Sequence, residues 1–364
     1  MSDVVGSGHV NRDHGHGHND DRNDDDDGED NTPCYCRGSL ILTPEGEAPV
    51  EVLKVGDRVM TLSGKARPIR WVGRRAYDGR FIIGRASILP IRVSADALSA
   101  GVPARDLWIS PGHALYIDGV LVPAEHLLNG TTITQAESVE TVEYFHIELD
   151  EHDVVIADGA PAESFSDCDN RLMFRNGSEY ARLYPDDQRP SWDFCAPRLE
   201  ADAPELYAIR AALLERAEAL GHELDFDPDL HLVVDGEIVR PSSAAAYLYR
   251  FEIPAGAGTA WLASRSAIPA QVEAGSRDRR RLGVPVERLA LYGADLSIEM
   301  WHGHAALDEG FHSEERSHRW TDGLGRLPEV LLRPFAEGCT LEVHLIPAEL
   351  RYRSPQLPQE AAAA

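Results

Sequence analysis

Residues 32–64, "TPCYCRGSLILTPEGEAPVEVLKVGDRVMTLSG", mark an abrupt change of character in this 364-residue chain. Before them runs a tract of Asp, His, Asn and Gly, "HVNRDHGHGHNDDRNDDDDGED". It has too little apolar surface to offset the entropy of ordering, so residues 1–31 are expected to form a disordered acidic, His-rich tail. From Cys34 onward the pattern is one of short apolar runs punctuated by turn signals such as "EG", "VGD" and "LSG". A folded domain therefore begins on a cysteine. A thiol at that place can reach the carbonyl just upstream, that of Pro33. Attack followed by collapse would convert the peptide bond into a thioester, an N-to-S acyl shift. The reaction needs thiolate character, a donor for the departing nitrogen and a site for the oxyanion.

Working outward, "PIRWVGRRAY", "ILPIRV", "LWISP", "HALYIDGVLVPAEHL", "VEYFHIEL" and "HDVVIADG" continue the strand-and-turn pattern to about residue 167. Residues 32–167 are thus expected to be an all-β domain. Residues 168–200 are rich in Pro, Asp and Asn and predict a linker along a surface. The spacing of Leu206, Ile209, Leu213 and Leu214, with Gly221 beyond them, predicts an amphipathic helix over 203–221. Strand patterns then return, so residues 201–352 are expected to carry a helix and a β-sandwich-like domain, and 353–364 a disordered tail. The fold class is mainly β.

A formal net charge of −26 speaks against a nucleic-acid-binding surface, which needs a clustered positive face. Five scattered cysteines do not form a disulfide framework. No run of about 18 apolar residues is present and no Sec-type signal pattern opens the chain, so no membrane span is expected. The compartment stays open between the cytoplasm and export by another route. The histidines of "HGHGH" (His14, His16, His18) suit a transition metal in composition but have no rigid frame, and the "CYC" pair is awkwardly spaced for one tetrahedral ion. No cofactor is expected.

The proton donor is sought in "LWISPGHALYIDG", where Ser110 and His113 flank a two-residue turn and can converge on one backbone amide. Taken with "CYCRGSLILTPEGEAPVEVLKVGDRVMT" and "HDVVIADGAPAES", this "SPGHAL" block makes residues 34–166 resemble the Hint domain shared by hedgehog autoprocessing domains and inteins, in particular its bacterial stand-alone type. Ser110 stands where that family has Thr. The resemblance implies a horseshoe of β-strands in which Cys34 attacks the Pro33 carbonyl while Ser110 and His113 act on the scissile amide. His152 in the closing block is read as structural, with a catalytic part as the alternative, and Asp57 as a turn residue. The closing block ends "APAESFS" and lacks the Asn that splicing inteins cyclise. The resemblance therefore implies single-turnover, cysteine-dependent self-cleavage at Pro33-Cys34 without splicing, with water, a small thiol or another nucleophile resolving the thioester. Pro33 is a departure, since its ring restricts the junction and removes a donor.

The rival reading is an inactive Hint scaffold whose C-terminal module binds a partner protein or a glycan. It rests on an exposed Trp320 and Arg319 in "RSHRWTDG", since aromatic faces and polar edges suit a sugar ring. The opposing expectation places Trp320 in a core and Arg319 in an ion pair. "WHGH" (His302, His304) lacks the ligand spacing of a metal site, and "RDRRRLG" is expected to be a solvated or ion-paired loop.

Overall fold

Alternation of apolar and polar side chains is converted into pairing in the computed structural model, which describes residues 32–187 and 194–354. The expectations for residues 1–31, with His14, His16 and His18, and for 355–364 lie outside the described residues. The first domain contains β1 (Tyr35–Cys36), β2 (Leu40–Thr43), β3 (Gly46–Pro49), β4 (Arg58–Met60), β5 (Ala66–Pro68), β6 (Trp71–Asp78) and β7 (Ile91–Val93). It continues with β8 (Leu107–Ile109), β9 (Ala114–Ile117), β10 (Val120–Pro123), β11 (Ile133–Gln135), β12 (Thr141–Glu148), β13 (Val154–Ala157) and β14 (Ala160–Glu163). One six-stranded sheet has the order β11-β7-β8-β1-β12-β6, the other β10-β9-β14-β13-β2-β3, and β4 pairs with β5. The strand that opens the domain is thus interior to its sheet. Tyr35 pairs with Ile109 of β8 on one side and Phe145 of β12 on the other.

Two Asp-Gly turns close hairpins as their sequence predicts. Asp118-Gly119 (φ 49° and 91°) joins β9 to β10, and Asp158-Gly159 (φ 49° and 81°) joins β13 to β14. Positive φ at both central residues gives the turn the twist of the strands it connects. Asp57 serves a turn too, its Oδ2 accepting the Lys54 N–H at 3.1 Å. Tyr35, Ile41, Ile91, Ile109, Leu115 and Ile147 are fully buried in one core between these strands.

Where composition predicts a surface linker, the chain instead folds back onto the edge strand β6. A 3-10 turn (Arg171–Met173) leads into α1 (Gly177–Leu183). Arg175 N–H donates to Arg74 O at 2.9 Å, and Asn176 donates from Nδ2 to Val72 O while accepting Arg74 N–H. Phe174 packs on Trp71 with ring centroids 5.1 Å apart, over a glycine: a Cβ at Gly73 would lie 2.6 Å from the Phe174 ring. The polar composition conceals this docking because two buried side chains, Phe174 and Tyr180, carry its apolar contact.

The predicted helix is α2 (Pro204–Ala219), and Gly221 follows it at φ 91°. It buries Leu206, Ile209, Leu213 and Ala217, while Leu214 stays half-exposed. Leu206, Ile209 and Leu213 belong to the core of the first β domain, not to that of the second with which the sequence groups the helix. Arg216 Nε donates to Asp96 O at 2.9 Å on that side, and Arg210 reaches Ser276 O at 3.2 Å on the other.

Beyond α2 lie a four-stranded sheet, ordered 237–239, 231–234, 260–263 and 324–326, and a second sheet, ordered 243–245, 248–253, 339–345, 285–292 and 297–301. Phe251, Leu262, Leu289, Leu341 and Val343 form the core between them. Tyr352–Arg353 pairs with Leu224–Asp225, so a strand reaches into the region expected to be a tail. Trp320 is buried, not exposed, and Arg319 turns inward to donate to the Leu307 carbonyl. This overturns the exposed Trp-Arg platform, because residues 319–320 pair with 285–286 and set the tryptophan against His318. His302 and His304 are spent on local contacts with the Glu287 carbonyl and the Ala306 N–H. Among the described residues no helix is long and apolar enough to cross a membrane.

Because Leu213 fills the first domain's core, Leu213→Ala should cost ~2–4 kcal/mol. Hydrogen exchange should show the lost protection in the strands of residues 35–163; loss confined to the strands of 231–345 would refute the assignment of α2.

Candidate active site

The chain enters β1 through Thr32, Pro33 and Cys34, and the end of β8 holds that entry. Ser110 Oγ accepts the Cys34 N–H at 2.8 Å and donates its own proton to Thr32 O at 2.9 Å. Ser110 N–H in turn donates to Cys34 O at 2.9 Å. One hydroxyl thus spans the Pro33-Cys34 bond, gripping the nitrogen of that amide and the carbonyl of the preceding one. The concern that proline removes a donor is answered locally: the donor at this bond is the Cys34 N–H, and it is engaged.

His113 follows across the turn, its N–H donating to Ser110 O at 3.1 Å. Its ring is fully buried against Tyr35, centroids 4.2 Å apart, and against His146 at 4.9 Å. Neither ring nitrogen of His113 has a hydrogen-bond partner among the described residues, nor does His146 Nε2. Buried polar atoms are nearly always satisfied, so two imidazoles with orphaned nitrogens call for an explanation. Burial drives the His113 pKa down to about 4 against the pull of Glu163 and with the help of Arg198. Burial, with His113 beside it, also depresses His146 well below the usual range. Both rings are therefore neutral at pH 7.

Behind His113 lies a buried charge cluster. Glu163 Oε1 accepts the Ala114 N–H at 2.7 Å, and its Oε2 pairs with Arg198 Nη1 at 2.6 Å. Arg198 Nη2 donates to Gly112 O, inside the Ser110–His113 turn. Tyr35 Oη donates to the Glu163 backbone carbonyl at 2.8 Å. Burial alone would push the Glu163 carboxyl up, but Arg198 and His152 outweigh it and hold it well below the usual carboxylate range. His152 belongs to this cluster: its Nδ1 accepts the Cys195 N–H at 3.0 Å and its Nε2 faces Glu163 Oε2 at 3.6 Å. It stands behind the His113 turn with Glu163 between them.

The thiol itself is covered. Cys34 is 1% exposed and sits in an apolar cluster with Trp71, Phe165, Phe174 and Tyr180. Thr32 Oγ1 meets Met173 Sδ at 3.3 Å, so the 171–173 turn lies directly over the junction. Arg171 pins this cover, its guanidinium 3.6 Å from the Tyr180 ring centroid and paired with Glu148 and Asp167. Cys36 is half-buried two residues on, where burial raises its thiol to about 12, so it stays protonated. Among the described residues no group of three or more His, Cys, Asp or Glu is placed to hold a metal ion.

Of the four residues singled out in the sequence, Ser110 is bonded to the Cys34 N–H, the His113 N–H is bonded to Ser110 O with its ring on Tyr35 and His146, and His152 faces Glu163. Sequence reasoning missed His146, Glu163, Tyr35 and Arg198. Glu163 is the one ionisable group of the run Ala160–Glu163, but nothing in the sequence says what it pairs with, and His146 shares its strand with Glu143 and Glu148.

The family model described as the Hint domain matches residues 33–169. Solved structures similar to the chain include an intein-like domain from Clostridium thermocellum, 17% identical, covering 36% of this chain and 98% of that one with a TM-score of 0.25. A DnaB intein from Synechocystis is 11% identical and covers 37% and 99%, TM-score 0.25. The gp41-1 intein is 13% identical and covers 36% and 97%, TM-score 0.27. No curated protein matches the chain.

The depressed His113 fixes a pH dependence. The unfolded chain takes up the proton near 6.5 and the folded chain only near 4. The associated stability is whole above pH 6.5 and is lost as pH falls to about 4, ~3 kcal/mol in all. Urea unfolding at pH 7 and 4.5 should show a larger loss in the wild type than in His113→Gln. Equal losses would mean that His113 is not buried in its neutral form.

Proposed function

We propose that the Hint domain of residues 33–169 is a self-cleaving module acting at Pro33-Cys34. The Cys34 sulfur attacks the Pro33 carbonyl carbon to give a tetrahedral adduct. Its collapse breaks the C–N bond, leaving Pro33 as a thioester on Cys34 and the Cys34 nitrogen as a free amine. The balance requires the thiol proton to reach the departing nitrogen, and a neutral His113 can take it from sulfur and hand it on. Ser110 holds that nitrogen's N–H throughout, so the amide cannot rotate away from its donor. Water or a small thiol then resolves the thioester and releases the upstream segment. The turnover is single and in cis. The closing strand β14 ends at Glu163 and is followed by Ser164-Phe165 with no Asn to cyclise, so splicing is not part of the reading.

The observation that carries the proposal is the Ser110 hydroxyl bridging Thr32 O and Cys34 N–H. A hydrogen-bonded hydroxyl at this bond is not needed to pair β1, which already has β8 and β12 beside it. Burial beneath Phe174 and Tyr180 adds a consequence. The thioester would form out of bulk water and survive until a nucleophile displaces part of the cover.

Intact mass of the chain with an N-terminal fusion, incubated with and without DTT, tests the reaction. Loss of everything before Cys34, accelerated by thiol and abolished in Cys34→Ala, is expected. An unchanged mass in both proteins would leave the domain as a scaffold and turn attention to the C-terminal module. Phe174→Ala should raise the DTT-dependent rate at least several-fold by thinning the cover; an unchanged or lower rate would show that access is not limiting.

A further inference from the structure

We propose that Arg198, outside the residues that match the Hint domain, is a positioning residue of the self-cleavage site: its guanidinium ties the Glu163 carboxylate to the Gly112 carbonyl and so sets the Ser110–His113 turn against Cys34. The proposal rests on the self-cleavage reading for its kinetic consequence but not for its structural one.

Four contacts make the case. Arg198 Nη1 meets Glu163 Oε2 at 2.6 Å, and Arg198 Nη2 donates to Gly112 O. Glu163 Oε1 accepts the N–H of Ala114, the residue after His113. The Glu163 carbonyl accepts the hydroxyl of Tyr35, whose ring lies on His113. The turn is therefore gripped on both sides of the imidazole by one ion pair, and Tyr35, the residue after Cys34, is tied to the same glutamate. Arg198 is itself anchored: Leu121 N–H donates to Pro197 O and Leu199 N–H donates to Leu121 O, each at 2.8 Å, so 197–199 lies parallel to β10. Leu199 is buried in the first domain's core.

Electrostatics assigns the pair a second part. The charged and titratable groups around His113 are Glu163, Arg198, His152, His146 and Tyr35. Glu163 favours an imidazolium there, and Arg198 opposes it. Arg198 and His152 both act against Glu163, and burial, the largest effect, keeps the ring neutral. With Arg198 gone, an uncompensated carboxylate would face it. A buried ion pair is a poor stabiliser compared with apolar packing of the same volume, so stability alone is weak grounds for one here. A planar guanidinium can serve a carboxylate and a carbonyl at once, which a lysine ammonium on its flexible stem does poorly.

The test uses the full chain in two backgrounds. In Cys34→Ala, which cannot cleave, 13C-histidine NMR follows His113, assigned by its loss in His113→Gln. His113 should stay neutral down to pH 5 with Arg198 present and should titrate at least one unit higher in Arg198→Met. Adding Glu163→Gln to Arg198→Met should return it towards the original value, a reversal that a merely structural role does not give. In the cleaving background Arg198→Met should slow the acyl shift at least tenfold. Should that variant not fold, Arg198→Lys is the one to follow: it should keep the His113 titration in place yet slow cleavage, because the carbonyl and the carboxylate are no longer served together. An unshifted His113 in folded Arg198→Met, or a wild-type rate in Arg198→Lys, overturns the proposal. Absence of cleavage in the wild type itself would sink the self-cleavage reading, while the NMR arm would still decide what Arg198 does to the turn.

Discussion

The hydroxyl of Ser110 fixes the Pro33-Cys34 junction, and much of the first domain can be read as the means of holding that hydroxyl still. A hydrogen bond of this kind contributes only ~1 kcal/mol to stability, but it has geometric force because it is double. It accepts from the nitrogen that would leave and donates to the carbonyl one residue earlier. Keeping both contacts requires β1 to lie beside β8, which requires β1 to be interior to its sheet. That in turn requires β12 on the other side, and β12 is long enough, paired residue for residue with β6 from Thr141 to Glu148, to anchor the arrangement.

Two buried imidazoles with unmet nitrogens stand against the general rule of polar satisfaction, and each carries a desolvation cost. The surroundings make that tolerable without making the rings inert. Tyr35 and Phe165 supply aromatic faces around His113 and His146, while Glu163 and Arg198 place opposite charges one layer behind. The result is an imidazole that is uncharged at neutral pH yet has a carboxylate close enough to stabilise a transient cation. A proton shuttle needs that balance: an imidazole already charged could not accept the thiol proton, and one in a wholly apolar pocket could not hold it.

Much of this was legible in the sequence. Cys34 was visible because it stands where an acidic tract gives way to patterned strands, and Ser110 and His113 because they flank a short turn. The Asp-Gly hairpins and the amphipathic helix were visible because local chemistry sets them. His146 and Glu163 were not, since their significance depends on which strands become neighbours: periodicity tells which face a residue takes, and not what lies opposite. Trp320 illustrates the same limit from the other side. Its polar neighbours suggest a surface, and a two-residue pairing with 285–286 buries it.

Segment 171–199 was the least legible, and it alters where the structural unit around Cys34 ends. Its composition is that of a connector, yet it supplies the aromatic cover of Cys34, the guanidinium behind His113 and, in Leu199, a side chain of the first core, to which α2 adds Leu206, Ile209 and Leu213. A polar stretch can do this because the buried positions are few and widely spaced, leaving no periodicity to read. Each contribution also lies beyond residue 169, where the family match ends. The matched domain therefore contains Cys34 and the Ser110–His113 turn, but the surroundings that set His113 and bury Cys34 are completed by chain that follows it. The smallest segment in which the site can have the environment described is one that runs through Leu199, which anchors Arg198 to β10.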